Sequence, residues 1–238
     1  FIKAALVEVQ TGNSIARARV PEVEIAMVSQ QAGWAEQDPN IWWEYLCKAT
    51  QKLLAEAQIK ADQISSVGIS YQMHGLVLVD QDLSPLRKSI IWCDSRATSY
   101  GEKAFKALGE TYCKDHLFNS PGNFTASKLG WVIDNEPEIY NKTYKLMLPG
   151  DFLVAKLTGE FQTTITGLSE GIFWDFKNDT PSDRLFDYYQ IDKSLIPEIV
   201  PNFIEQARVS KKGSKETGLP EGVPVTYRAG DQPNNAYA

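Results

Sequence analysis

The sequence predicts an α/β protein with a mixed β-sheet flanked by helices, and three observations carry that prediction. Short apolar, β-branched stretches open the chain, follow one long amphipathic stretch and return near the end; the middle third has mainly helical spacing; no repeat or low-complexity tract breaks the order. With 238 residues, 43% of them apolar, the chain is long enough to bury a sizeable core.

Taken in order, residues 2 to 9 and 14 to 26 read as two strands joined at Thr11-Gly12-Asn13, a polar turn of hairpin composition. Asp38-Pro39 supplies an N-cap and a proline at the first helical position, and Trp42, Trp43, Leu46, Leu53, Leu54 and Ala57 recur at helical spacing, so a helix is expected to about Gln58. Val67 to Ser70, Leu76 to Val79 and Ile90 to Trp92 read as strands, with Asp80-Gln81-Asp82 as a turn. Thr125 to Asp134 and Phe152 to Leu157 read as helices, the second closed by Thr158-Gly159. Residues 161 to 176 have no clear periodicity. Ser210 to Thr217 is expected to be a surface loop or helix end, and Val223 to Tyr227 is a strand running into Arg228-Ala229-Gly230-Asp231.

Composition narrows the function. Net charge is −6 with both signs mixed along the chain, and no block of Lys or Arg marks a nucleic-acid or anionic-lipid footprint. No run reaches the ~20 apolar residues of a membrane span, so neither nucleic acid nor membrane is expected as a partner. Cys47, Cys93 and Cys113, odd in number and irregularly spaced, fit neither a disulfide framework nor a zinc cluster and point to reduced thiols in the cytoplasm. His74 and His116 are far apart in sequence, and no metal ligands are assigned. Phosphate-loop, dinucleotide-loop, zinc-protease and serine-hydrolase motifs are lacking.

What remains is "ISYQMHGLVLVD" (69 to 80), where Gln72, Met73, His74 and Gly75 interrupt two apolar runs. A histidine there, read alone, is more often a hydrogen-bonded structural residue. Its neighbours favour a ligand: Gln72 and His74 both donate and accept, Gly75 lets backbone approach closely, and strand ends are where open α/β sheets bind small molecules. Asp231 follows a strand through Ala229-Gly230; read alone the dipeptide is a turn, and read functionally it is a carboxylate at a strand's carboxyl end, able to take a proton from a substrate hydroxyl. Residue chemistry alone leads to a sugar or polyol site.

Six stretches then carry a resemblance: "GWAEQDPNIWW" (33 to 43), "ISYQMHGLVLVD" (69 to 80), "IIWCDSRA" (90 to 97), "NFTASKLGWVIDNEP" (123 to 137), "LPGDFLVAKLTGE" (148 to 160) and "YRAGDQ" (227 to 232). In this order they resemble the FGGY carbohydrate kinases, and Gln-Met-His-Gly resembles the xylulokinase branch. The resemblance implies an actin-like, ribonuclease-H-like fold of two domains, of which this chain is similar to the first, sugar-binding one. It implies that Met73 and His74 contact the sugar, with Gln72 and Trp92 in the same substrate-binding set. Asp231 is then the base that also contacts the sugar, and Gln232, where many relatives carry Asn, holds a further hydroxyl.

The implied partners are a ketose sugar, ATP with Mg2+, and a C-terminal domain of the same protein; a homodimer is compatible with it. The implied reaction is transfer of the ATP γ-phosphate to a ketopentose, D-xylulose to D-xylulose 5-phosphate. Glycerol kinases carry an Arg-Glu pair where Met73-His74 stands, which favours the longer sugar. An Asp-x-Gly-Thr phosphate hairpin is expected before Phe1 and a nucleotide domain after Ala238, so the chain by itself is expected to be inactive as a kinase. The competing class is a non-catalytic sugar-binding or regulatory module, or an FGGY kinase for another sugar or polyol.

Overall fold

The computed structural model describes residues 1–236. The chain opens with an antiparallel hairpin, β1 (Ile2–Val7) and β2 (Ser14–Val20), whose turn is closed by Glu8 N–H donating to the Asn13 carbonyl at 2.9 Å. Both strands are shorter than the sequence predicts. The register shifts between Leu6 and Val7, and Pro21 has no N–H to extend the ladder beyond Val20.

After β3 (Glu36–Gln37) comes α1 (Pro39–Ala57), begun as expected: the Asp38 side chain accepts the Asn40 N–H at 2.9 Å and Pro39 takes the first position. Gln58, at φ 52°, ends it in the left-handed region. There follow β4 (Val67–Tyr71), β5 (Val77–Val79) and β6 (Ser89–Ile90). The expected strand at 90 to 92 is therefore displaced by a residue, and Trp92 lies beyond it in a turn closed by Asp94 N–H on the Ile91 carbonyl at 3.1 Å.

The helical middle holds α2 (Thr98–Leu108), α3 (Glu110–Tyr112), α4 (Thr125–Asn135) and α5 (Pro137–Lys142), then β7 (Lys145–Met147) and α6 (Pro149–Thr158), which ends at Gly159 with φ 87°. The unassigned stretch after it folds as β8 (Gln162–Thr164), α7 (Ile165–Glu170) and β9 (Trp174–Asp175). Next come β10 (Thr180–Pro181), α8 (Asp183–Tyr189), β11 (Glu198–Val200) and β12 (Ala207–Arg208). The chain closes with α9 (Lys211–Thr217), β13 (Pro224–Gly230) and α10 (Asp231–Ala236). Helix α9 is the expected polar run: Lys211, Lys212 and Lys215 are exposed, Ser210 caps it, and Gly213 lies against the Leu157 carbonyl where any Cβ would collide.

Strand directions are mixed, as predicted. β13 pairs with β4 in parallel and with β12 antiparallel; β8 and β11 are parallel, whereas β5 with β7 and β3 with β6 are antiparallel. β5 divides the interior. Leu76 and Leu78 face a core built with α2, α4 and α8, and Val77 and Val79 face a second built with α1, α6, β4 and β13. A strand buried on both faces reads as a continuous apolar run, which is why 76 to 79 was legible.

β13 is locked into the second core by Arg228, whose side chain is fully buried. Its guanidinium donates to Asp151 Oδ1 at 3.2 Å on α6, to the Gln162 carbonyl at 3.1 Å on β8, and to Gln206 Oε1 at 3.1 Å. Removing one partner of a buried ion pair leaves the other uncompensated, at a cost of about 3–5 kcal/mol. Arg228→Met is expected to lower unfolding stability by that amount in urea titration, and adding Asp151→Leu to recover part of it. Loss of under about 1 kcal/mol in the single variant would show that the network contributes little.

Candidate functional site

β4 and β13 run parallel with Gly230 opposite Tyr71 and Ala229 opposite Ser70, so Gln72 and Asp231 leave the ladder side by side at the same carboxyl edge. Apolar burial puts the strands there: Ile69, Tyr71, Val225 and Ala229 all face the core. Asn234 straps α10 to this edge. Its side-chain amide donates to the Gly230 carbonyl at 2.8 Å and to Ser70 Oγ at 3.1 Å, and its oxygen accepts from Tyr227 OH at 3.0 Å. Gly230 is required by crowding: a Cβ there would come within 2.3 Å of Met73 Cγ and 2.6 Å of Glu170 Oε2.

The Gln72-Met73-His74-Gly75 turn carries His74 in the left-handed region, at φ 61°. Outside glycine this conformation is uncommon, though histidine adopts it more readily than most residues, and here the surroundings hold it. Three partners impose it. Glu170 Oε1 accepts the His74 N–H at 3.2 Å, Lys128 Nζ donates to the His74 carbonyl at 2.6 Å, and the ring of Phe124 meets the imidazole edge-on at 4.5 Å. Lys128 Nζ also donates to the Ile91 carbonyl at 3.0 Å, tying the turn to the segment that leads to Trp92. Gly75 gives close approach to a protein neighbour rather than to open space, since a Cβ there would lie 2.5 Å from Pro149 Cγ.

The imidazole is defined chemically as well as geometrically. Its Nδ1 lies 3.1 Å from the Glu170 carbonyl, and a carbonyl only accepts, so Nδ1 carries the proton. Burial lowers the His74 pKa below its usual range, and the Lys128 ammonium acts in the same direction against the Glu170 carbonyl. The ring is therefore neutral near pH 7, with Nε2 as a bare acceptor. Burial also draws Lys128 from 10.5 down to about 8, against the pull of Asp94, and pushes Glu170 well above the ordinary carboxylate range.

Of the residues singled out from sequence, the fold brings together Gln72, Met73, His74 and Asp231. Gln72 and Asp231 share the lining of a cavity of about 640 Å³ with Gln37, Trp42 and Pro149, and Gln72 Nε2 donates to Gln37 Oε1 at 3.3 Å. Trp92 and Gln232 are not drawn in: Trp92 is 59% exposed and Gln232 faces outward in the first turn of α10. His116 belongs elsewhere, with Nδ1 at 2.9 Å from Asp175 and the ring stacked on Tyr112.

Sequence reading missed Lys128, Glu170 and Asn234. Lys128 had a signal, because Thr125, Lys128, Leu129 and Val132 form one buried helical stripe in which a lysine is out of place. Glu170 had none, lying at the end of a six-residue helix closed by Gly171. The assembled groups offer a primary amide and a carboxylate lining the cavity, with a neutral imidazole acceptor on the adjoining turn. That inventory suits a polyhydroxylated ligand and a proton acceptor for one of its hydroxyls.

Known proteins agree with this architecture. The chain is 31% identical over 207 residues to a xylulose kinase of Staphylococcus xylosus and 30% identical over 200 residues to one of Streptomyces rubiginosus, covering 87% and 83% of this chain. It spans 42% and 40% of those relatives, less than half their length. Among solved structures, xylulose kinase from Rhodospirillum rubrum superposes with a TM-score of 0.88 at 25% identity, over 98% of this chain and 47% of that one. A glycerol kinase of Plasmodium falciparum solved with ADP matches in fold, with a TM-score of 0.85 at 21% identity over 97% of this chain and 46% of its own. The fold is the actin-like α/β fold of these kinases. The family model described as the N-terminal domain of the FGGY family of carbohydrate kinases matches residues 1–237, and the chain belongs to that family.

Proposed function

We propose that this chain is the sugar-binding N-terminal domain of an ATP-dependent kinase that phosphorylates a ketopentose, converting D-xylulose to D-xylulose 5-phosphate. The observation that carries this reading is the juxtaposition of the His74 turn and Asp231 at the carboxyl edge of β4 and β13 in a member of this family. The relatives named as xylulose kinases support the choice of sugar. In this reading His74 Nε2 accepts a hydrogen bond from one sugar hydroxyl, Gln72 and Gln232 serve others, and Met73 and Trp92 offer apolar surface to the carbon skeleton. Gln232 and Trp92 stand outward here, so both are assigned to a site completed by the rest of the protein.

ATP supplies the phosphoryl group. Asp231 takes the proton from the attacking hydroxyl as the new O–P bond forms and the bond to ADP breaks. Among the described residues no group of three or more His, Cys, Asp or Glu is placed to hold a metal ion. Among those residues no helix is long and apolar enough to cross a membrane, and all three cysteines are free, which accords with a proposed cytoplasmic location.

With the full-length protein, xylulose is expected to give greater activity than glycerol, gluconate or ribulose in a coupled ADP-release assay; a preference for any of the other three would overturn the choice of sugar. Asp231→Asn is expected to lower turnover by ~10²–10⁴-fold with a smaller change in sugar affinity. Unchanged turnover would return Asp231 to a turn residue.

The His74 pKa is held below its ordinary 6.5, and protonation removes the Nε2 lone pair that the sugar uses. Xylulose affinity is therefore expected to be level near pH 7, short of the Lys128 titration at about 8, and to fall below pH 6.5, with His74→Gln abolishing that fall. Calorimetric titration across pH 5 to 8 checks it; affinity that improves on acidification would contradict an acceptor role.

A further inference from the structure

The proposed sugar site has a second carboxyl group to which it gives no role. Glu170 is 9% exposed, on α7, a helix that no motif pointed to. It touches His74 twice by different atoms: Oε1 accepts the backbone N–H at 3.2 Å, and its own main-chain carbonyl faces Nδ1 at 3.1 Å. Oε2 lies beside Gly230, against which Met73 also packs. One residue thus touches both halves of the site, the turn after β4 and the end of β13.

We propose that Glu170 is a positioning residue for sugar recognition: its side chain fixes the left-handed turn at His74 while its main-chain carbonyl fixes the imidazole tautomer, so that Nε2 is presented as an acceptor. Without the Oε1 contact, the N–H of a strained turn is left unpaired and the ring loses the geometry that keeps Nδ1 on the carbonyl. The inference rests on the sugar-kinase reading for its kinetic consequences, and on geometry alone for the state of the ring.

The charged and titratable groups around Glu170 determine which substitution is conservative. Burial most strongly, and then Asp151 from α6 and Asp231 from α10, disfavour its negative charge, while the His74 N–H and Lys128 from α4 favour it. The net effect raises the carboxyl's pKa well above its ordinary range, and glutamine is its closest uncharged copy, keeping one oxygen to accept from the His74 N–H.

The test uses the full-length protein with Glu170→Ala, Glu170→Gln and His74→Ala. Glu170→Ala is expected to raise the sugar KM by about tenfold with the ATP KM unchanged, and Glu170→Gln to restore it. Combined with His74→Ala, Glu170→Ala is expected to add less than twofold, because its effect passes through His74. A simultaneous rise of the ATP KM, or full additivity in the double variant, would make Glu170 a general structural residue and overturn the proposal.

Histidine ¹⁵N–¹H correlation, with the His74 signals identified by their loss in His74→Ala, reads the ring independently of activity. Wild type and Glu170→Gln are expected to show the Nδ1–H tautomer and Glu170→Ala a mixture of both. Nε2–H in the wild type overturns the proposal even if Glu170→Ala fails to fold. A wild type that shows Nδ1–H yet phosphorylates no sugar keeps the positioning role and rejects the sugar-kinase reading, so the two failures are distinguishable.

Discussion

The parallel ladder between β4 and β13 is the constraint on which the site depends. It places two chain segments about 160 residues apart at one carboxyl edge and in fixed register, Gly230 opposite Tyr71. One face of the pair is buried, with α6 packing against it through Phe152 and Val154 and α1 through Trp42 and Trp43, while Gly68 and Ser70 on the other face of β4 are exposed. Arg228 makes the register unambiguous. A slip by one residue would send its guanidinium to the other face of the sheet and leave Asp151 alone in the core, a penalty that apolar packing between the same strands would not impose.

Around that edge Lys128 and Glu170 are buried with main-chain partners, and burial shifts both toward their neutral forms. Lys128 has no carboxylate within salt-bridge reach among the described residues and gives its protons to two main-chain carbonyls, which solvate an ammonium less well than water does. Glu170 likewise receives an N–H rather than a cation. Charges of both signs are therefore weakened at the same spot. The nearby Asp94–Arg96–Glu36 group is the opposite case: Arg96 holds Asp94 Oδ2 at 2.7 Å and Glu36 at 2.9 Å and lies 3.8 Å over Trp34, so cation and carboxylates meet directly. Low dielectric strengthens such pairs and penalises unpaired charge, so one environment yields both outcomes.

Much of the local structure was legible because local chemistry decides it. Asp38 with Pro39 starts a helix wherever it stands, Gly159 ends one, and a four-residue apolar run at 76 to 79 is a buried strand. The second strand was overextended because its apolar pattern outlasts its hydrogen bonding, which Pro21 stops. At the site, the residues in the turn and at the strand end were legible because their chemistry interrupts an apolar pattern. Lys128, Glu170 and Asn234 act through contacts across 54, 96 and 164 residues of sequence, and no local pattern encodes such distances. Trp92 and Gln232 were placed by resemblance, and the local fold turns both outward.

The long closure of the β4–β13 ladder also has a temporal side. At synthesis rates of about 5–20 residues per second, the His74 turn leaves the ribosome on the order of ten to thirty seconds before Asp231 does. Through that interval the Val67–Tyr71 edge has no parallel partner, and Glu170, made roughly two-thirds of the way through the gap, is available to the turn before Gly230 exists. The nascent chain can therefore set the left-handed turn first and close the ladder onto it last. Until the second strand arrives, an open edge of five residues stands unpaired, which makes the synthesis of the segment between the two strands the window in which this edge is most exposed to misassembly.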